Sequence, residues 1–124
     1  EYREFLPEVL TDLQDSIKMA VNCGISEDKI MIDPGIGFAK SYEQNLTVLK
    51  HLEMFRTLKY PVFIGASNKS VIGMTLDLPV EERLEGTLAT TALAVVKGCA
   101  FVRVHDVRAN LRVIKMLQTI IDKG

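Results

Sequence analysis

"PVFIGASNKSVIG" (residues 61–73) combines an apolar run with a lysine that lies among small polar residues. Its first half is an apolar run of the kind that forms a buried strand, and it stops abruptly in small polar residues. Lys69 lies among these polar residues, directly after Asn68. The pattern predicts a strand over residues 61–66, followed by a loop that passes through Lys69 and Pro79.

The same pattern of an apolar strand followed by a helix recurs on either side. Residues 29–33 (KIMID) form a short apolar run that Pro34 and Gly35 end, and residues 100–106 (AFVRVHD) form another. Strands that alternate with helices pair in parallel, so the fold class is α/β. Four helices are predicted, of which the first spans residues 5–24, with Pro7 in its first turn and Gly24 after its last. The second begins with the capping-box pair Ser41 and Gln44, and its apolar side carries Leu46, Leu49, Leu52 and Phe55. The third spans residues 82–97 and is closed by Gly98, and the fourth is capped by Asp106.

Length and composition are those of one globular domain. The chain has 124 residues, of which 48% are hydrophobic and 25% charged, and its net charge is −1. This charge gives no sign of nucleic-acid or membrane binding, and no apolar run approaches the ~20 residues of a membrane span. Cys23 and Cys99 are predicted to be buried thiols in a reducing cytoplasm rather than a disulfide or a metal pair. Because the chain begins at Glu1 without a methionine, we expect it to be a piece of something longer.

Polar and ionisable residues follow each of the three predicted strands. The carboxyl ends of parallel strands form one edge of a sheet, and ligands bind at that edge. The sequence therefore predicts a binding site there, whose candidate residues are Asp33 after the first strand, Ser67, Asn68 and Lys69 after the second, and Arg103, His105 and Asp106 at the end of the third.

Arg103 and His105 are the most informative pair. Strand side chains alternate between faces, so these two point the same way, which suits an anionic oxygen cluster such as a phosphate. The other readings are an ion pair of Arg103 with an acid inside a barrel and a packing role for His105. Asp33 can likewise be a turn residue that bonds only its own backbone, and Lys69 an exposed charge. His51 is interpreted as a solvated surface residue.

Three motifs carry a resemblance to a known family. "IMIDPGIGFAK", "GASNKSVIG" and "FVRVHDV" resemble, in order and separation, the C-terminal half of bacterial dihydropteroate synthase, a pterin-binding TIM-barrel family. The resemblance covers essentially the whole chain. It implies that residues 1–124 are the C-terminal portion of a TIM (β/α)8 barrel domain, equivalent to its last three strands and last four helices.

The resemblance also implies an activity. The family condenses 6-hydroxymethyl-7,8-dihydropterin pyrophosphate with p-aminobenzoate to give 7,8-dihydropteroate and pyrophosphate, a step of folate biosynthesis that sulfonamides target. The implied site residues are Asp33 and Lys69 on the pterin ring, Arg103 and His105 on the pyrophosphate, Ser67 among the substrate-binding residues, and Phe38 and Ser70 beside p-aminobenzoate, with Gly37 leaving room for it. Lys69, Arg103 and His105 are the implied catalytic residues.

The resemblance further implies a magnesium ion and a homodimer formed through the late helices. The usual protein contact of the magnesium ion is absent from this chain. Asn68 stands where the family has an arginine that lines the p-aminobenzoate side of the site. Because five strands are missing, the isolated chain is predicted to be inactive and to pair with another copy or with its missing half.

Two other functions stay open at this point. One is another pterin-binding barrel, such as a methyltetrahydrofolate–corrinoid methyltransferase, against which Arg103, His105 and Lys69 argue. The other is a truncated, non-catalytic copy that acts through its helices as an oligomerisation module, which Asn68 and the length of the chain favour.

Overall fold

A computed structural model describes the backbone of residues 2–124 and the side chains from Phe5 onward. Two short strands and five α-helices make up most of the regular structure of this region. They are α1 (Tyr2–Asn22), α2 (Tyr42–Lys50), β1 (Phe63–Ile64), α3 (Ser70–Leu76), α4 (Leu84–Val96), β2 (Phe101–Val102) and α5 (Val107–Lys123), with short 3-10 helices at Glu27–Lys29, Leu52–Leu58 and Val80–Glu82.

The strands pair in parallel, as predicted. β1 and β2 are in register, with Phe63 opposite Phe101. The predicted first strand is reduced to a single parallel bridge between Ile32 and Val62. Its extended pairing is lost because Pro34 follows closely and has no N–H to donate. The three segments nevertheless lie side by side in chain order, so their carboxyl ends share one edge.

The segment after β1 is a helix rather than the predicted loop. α3 occupies seven of the residues between Lys69 and Pro79, and its Val71 and Ile72 are buried. Lys69 is the N-cap residue but makes no side-chain capping bond. Because lysine is not one of the residue types that favour the N-cap position, and the helix has fewer than two full turns, the sequence hardly indicates a helix here.

The end of α1 agrees with the sequence better than its start does. α1 ends in a Schellman motif around Gly24, whose φ is 94°, with Ile25 N donating to Ala20 O at 3.1 Å. Its start was predicted wrongly, because α1 begins at Tyr2 and Pro7 therefore lies inside the helix. α4 begins at Leu84 and not at 82, since residues 80–82 form a separate 3-10 helix.

The core packs α2 and the 3-10 helix after it against the sheet. Its largest fully buried side chains include Phe55, Leu52, Val48 and Val62. Leu46, predicted on the apolar side of α2, is 39% exposed. In its place Asn45 and Thr47 are buried, because each satisfies a backbone group nearby.

Two further predictions need correction. Cys23 is exposed, since it lies at the last turn of α1 beyond the packed part of that helix, whereas Cys99 is half-buried and burial raises its pKa to about 11. His51 is half-buried rather than solvated, with its Nδ1 3.8 Å from Glu53 Oε2. No helix in the described part of the chain is long and apolar enough to cross a membrane.

Candidate functional site at the carboxyl ends of the strands

The loop after the first bridge begins with a turn built by Asp33. Its Oδ1 accepts a hydrogen bond from Gly35 N at 2.8 Å, so the carboxylate does stabilise its own backbone. The residue is nevertheless exposed, and a carboxylate has more lone pairs than one backbone bond uses. The turn therefore fixes the orientation of Asp33 and leaves it able to accept further donors.

Lys69 joins this loop to the segment after β1. Its Nζ donates to Ile36 O at 2.6 Å and lies 4.9 Å from the centre of the Phe38 ring. Burial lowers the pKa of Lys69, the Asp33 carboxylate opposes this shift, and the nearby Arg103 charge adds to it. Lys69 is thus half-buried and electrostatically coupled to residues that follow the first and third strand segments.

Three residues hold the loop around Lys69. Gly37 has a φ of 86°, and a side chain there would bring its Cβ to 3.1 Å from Lys69 Cδ. Gly37 N donates to Oδ1 of the buried Asn45 at 2.9 Å, and Lys40 Nζ donates to Gly35 O at 3.1 Å. The sequence analysis missed Asn45 and Lys40. A polar residue between buried positions of an amphipathic helix was the one available signal for Asn45.

Asn68 is bound to the scaffold. Its φ is 57°, a left-handed conformation that asparagine tolerates better than most residues. Thr87 Oγ1 accepts from Asn68 N at 3.0 Å and donates to Asn68 Oδ1 at 3.1 Å. Arg83 Nη1 donates to Asn68 O at 2.9 Å and Arg83 Nε to Leu78 O at 3.1 Å. The turn before Lys69 is therefore fastened to the start of α4.

Arg103 and His105 are both exposed, whereas Val102 and Val104 are half-buried, as the alternation of side chains predicts. The ion pairs found among residues 5–124 join Glu53 to His51 and to Lys97, and Arg103 takes part in neither. His105 contacts Ser67, which is 7% exposed, through a 2.8 Å bond between Ser67 Oγ and Nδ1. The described side chains contain no group of three or more His, Cys, Asp or Glu that could hold a metal ion.

The structure thus places Asp33 and Arg103 close enough to Lys69 for their charges to affect its pKa, and it joins Ser67 to His105 by a hydrogen bond. The two residues predicted beside p-aminobenzoate are more exposed to solvent: Phe38 is 68% exposed, and Ser70 is exposed in the first turn of α3. The arrangement presents cationic donors, one exposed carboxylate and an aromatic ring at a single edge. Such a set can bind a planar, polar heterocycle together with an anion.

Comparisons with known proteins agree with this chemistry. The family model described as "Pterin binding enzyme" matches residues 1–105. Dihydropteroate synthase of Bacillus subtilis (strain 168) is 51% identical over 123 residues, which are 99% of this chain and 43% of that protein. The chain therefore spans less than half the length of this relative.

Two solved structures extend the similarity to the backbone. The dihydropteroate synthase of Coxiella burnetii in complex with pteroic acid matches 98% of this chain and 46% of its own, with a TM-score of 0.94 and 39% identity. The Clostridium difficile enzyme in the presence of pteroic acid matches 93% of this chain and 45% of its own, with a TM-score of 0.87 and 44% identity. The fold is accordingly part of a TIM barrel, as expected.

Proposed function

The chain belongs to the pterin-binding enzyme family, and from this premise we propose that the protein acts in folate biosynthesis as a dihydropteroate synthase. The reaction joins the amine nitrogen of p-aminobenzoate to the methylene carbon of 6-hydroxymethyl-7,8-dihydropterin pyrophosphate. A carbon–nitrogen bond forms, the carbon–oxygen bond breaks, pyrophosphate leaves with the electron pair, and the amine loses a proton. The observation that carries the proposal is the position of Lys69, which is held between the Asp33 loop and Arg103.

Asp33 and Lys69 are proposed to bind the pterin ring. One oxygen of Asp33 accepts from Gly35 N, so the carboxylate is already oriented and can accept N–H donors of the ring edge. Lys69 carries three donor hydrogens, of which Ile36 O uses one. The remaining two donors are proposed to bond the ring carbonyl and its neighbouring nitrogen.

Arg103 and His105 are proposed to bind the pyrophosphate. Both are exposed at the end of β2, and the guanidinium fork of Arg103 matches two phosphate oxygens at once. Negative charge grows on the pyrophosphate as the carbon–oxygen bond breaks, and donors fixed in advance stabilise that charge. A magnesium ion, which the family resemblance implies, would neutralise part of this charge when bound to the pyrophosphate, and its usual protein contact is expected from outside this chain.

The p-aminobenzoate side is proposed to involve Phe38, Ser70 and the space beside Gly37. Asn68 is short, neutral and bonded to Thr87, so it places no cation on this side. We therefore expect weak binding of the p-aminobenzoate carboxylate. An Asn68→Arg variant should bind it more tightly, provided that the left-handed turn survives the substitution.

The chain is proposed to act as part of a larger, dimeric, cytoplasmic enzyme and to be inactive alone. Met31, which precedes the bridge residue Ile32, and Phe101 of β2 are 54% and 52% exposed, as expected if further parts of a barrel cover them. α5 exposes large apolar residues on two sides, Val107, Leu111 and Ile121 on one and Met116 and Ile120 on the other, and the first of these sides suits the proposed dimer contact.

A chimera tests the proposed reaction. The 124 residues would replace the matching segment of the Bacillus subtilis enzyme, and pyrophosphate release would be measured with both substrates. We expect turnover by the chimera, none by the isolated chain, and a lower KM for p-aminobenzoate in Asn68→Arg. A well-folded chimera that binds neither substrate would instead support the non-catalytic reading, which Asn68 and the exposed face of α5 favour.

A further inference from the structure

The hydrogen-bond ladder between β1 and β2 continues beyond the strands. Phe101 N donates to Val62 O at 3.2 Å, and Arg103 N donates to Ile64 O at 2.9 Å. In a parallel ladder, donors two residues apart on one strand bond to acceptors two residues apart on the other. The next donor in the series is therefore His105 N, and its partner would be the carbonyl of residue 66.

That carbonyl is already used. Ala66 O accepts from Lys69 N at 3.1 Å, because the chain turns there to present Lys69. His105 N donates instead to the hydroxyl of Ser67 at 3.2 Å. The side chain of Ser67 thus replaces a strand carbonyl and extends the ladder by one bond, at the position where the candidate anion site begins.

The hydroxyl of Ser67 makes a second bond that depends on the first. Its oxygen lies 2.8 Å from His105 Nδ1, and the tautomer of the ring decides which of the two atoms donates. Because that oxygen already accepts from His105 N, the arrangement that also uses the single hydroxyl hydrogen has Ser67 donating to Nδ1. Ser67 is 7% exposed, and donation to Nδ1 satisfies this buried hydrogen. A neutral imidazole that accepts at Nδ1 carries its hydrogen on Nε2.

We propose that Ser67 is a positioning residue that fixes both the orientation and the tautomer of His105. It leaves the Nε2 hydrogen at the exposed end of the ring, where that hydrogen can donate to an anion. Ser67 acts through His105 and does not itself contact the substrate, which refines its expected place among the substrate-binding residues. The anion in question is the pyrophosphate group, and this part of the inference rests on the proposed function.

Nitrogen-15 NMR of the 124-residue chain tests the tautomer directly. The chain has only two histidines, and His51 provides an internal reference for folding. At alkaline pH, where the ring is neutral, we expect His105 to be a single tautomer with bare Nδ1 and protonated Nε2. Ser67→Ala should give a mixture of tautomers, whereas Ser67→Thr, which keeps the hydroxyl, should retain the single form. Ser26→Ala removes an exposed hydroxyl that makes no capping bond and should change nothing.

A wild-type mixture, an Nδ1-protonated ring, or a Ser67→Ala spectrum identical to wild type would overturn the inference. If Ser67→Ala does not fold, the spectra of the wild type and of Ser67→Thr still test the inference, because both must show His105 as the single tautomer with a protonated Nε2. Titration with inorganic pyrophosphate separates the two proposals. We expect roughly 3- to 10-fold weaker binding in Ser67→Ala and near-normal binding in Ser67→Thr. A changed tautomer with unchanged pyrophosphate binding would keep Ser67 as a positioning residue and refute the anion role of His105.

Discussion

Replacing Lys69 with methionine tests whether this lysine joins the two loops of the site. The change keeps most of the apolar stem but removes the ammonium group, its 2.6 Å bond to Ile36 O and its contact with the Phe38 ring. A hydrogen bond to a charged group contributes about 1.5–3 kcal/mol, and a partly exposed cation–π contact about 0.5–1 kcal/mol. Ile36 is 1% exposed, so its carbonyl would lose a partner in a buried place.

The burial of the ammonium group opposes these contributions. It lowers the pKa of Lys69, which means that the fold disfavours the charged form, and methionine relieves that cost. We therefore expect a net loss of about 1 kcal/mol in the free energy of unfolding. This corresponds to a urea midpoint roughly 0.5–1 M lower, for a slope of about 1–2 kcal/mol/M.

Urea unfolding followed by circular dichroism measures this difference, with Lys18→Met on the exposed side of α1 as the matched control. pH adds a second signature. Since the folded pKa of Lys69 is below 10.5, the folded chain binds fewer protons than the unfolded chain just below that pH. The wild type should gain stability over Lys69→Met as pH rises through this window. Equal midpoints for Lys69→Met and Lys18→Met would refute the reasoning.

Three further predictions concern the scaffold. Thr91→Val should lower the free energy of unfolding in urea by about 1–3 kcal/mol, because it removes a 2.6 Å bond to the buried Asn110, and a urea midpoint equal to that of the wild type would contradict this. At pH 9 iodoacetamide should alkylate the exposed Cys23 first, since burial raises the Cys99 pKa to about 11; mass spectrometry should find Cys99 roughly 50-fold slower than a thiol with the ordinary pKa of 9.0. Gly37→Ala should lower stability by about 1–2 kcal/mol because of its positive φ, and a thermal midpoint equal to wild type would contradict this.

The alternation of strand segments and long helices could be predicted from the sequence, whereas α3 could not, and the location of the site at the carboxyl ends of the strands stays a prediction. Periodicity identified α1, α2, α4 and α5, while Gly24 marked the end of α1 and Asp106 the start of α5 for stereochemical reasons that do not depend on packing. The alternation of Arg103 and His105 with half-buried valines followed from strand geometry alone. These features are local, so local sequence encodes them.

The features that sequence reasoning missed depend on tertiary contacts. α3 is held by the burial of Val71 and Ile72, and its sequence has no capping residue to mark its start. The bond between Ser67 and His105 joins residues 38 apart, and it exists because a turn occupies the carbonyl that the ladder would have used. Pattern reasoning treats each strand end separately and cannot anticipate such an exchange of partners.

Arg103 is proposed to hold pterin pyrophosphate at this edge of the sheet. Calorimetric titration of 6-hydroxymethyl-7,8-dihydropterin pyrophosphate into the chimera and its Arg103→Ala variant tests it most directly, with Arg112→Ala on α5 as the control. The loss of a charge-assisted contact of about 1–3 kcal/mol predicts that Arg103→Ala binds roughly 5- to 150-fold more weakly than the chimera. Arg112→Ala should bind with the same affinity as the chimera. Equal affinities for the chimera and Arg103→Ala would contradict the account.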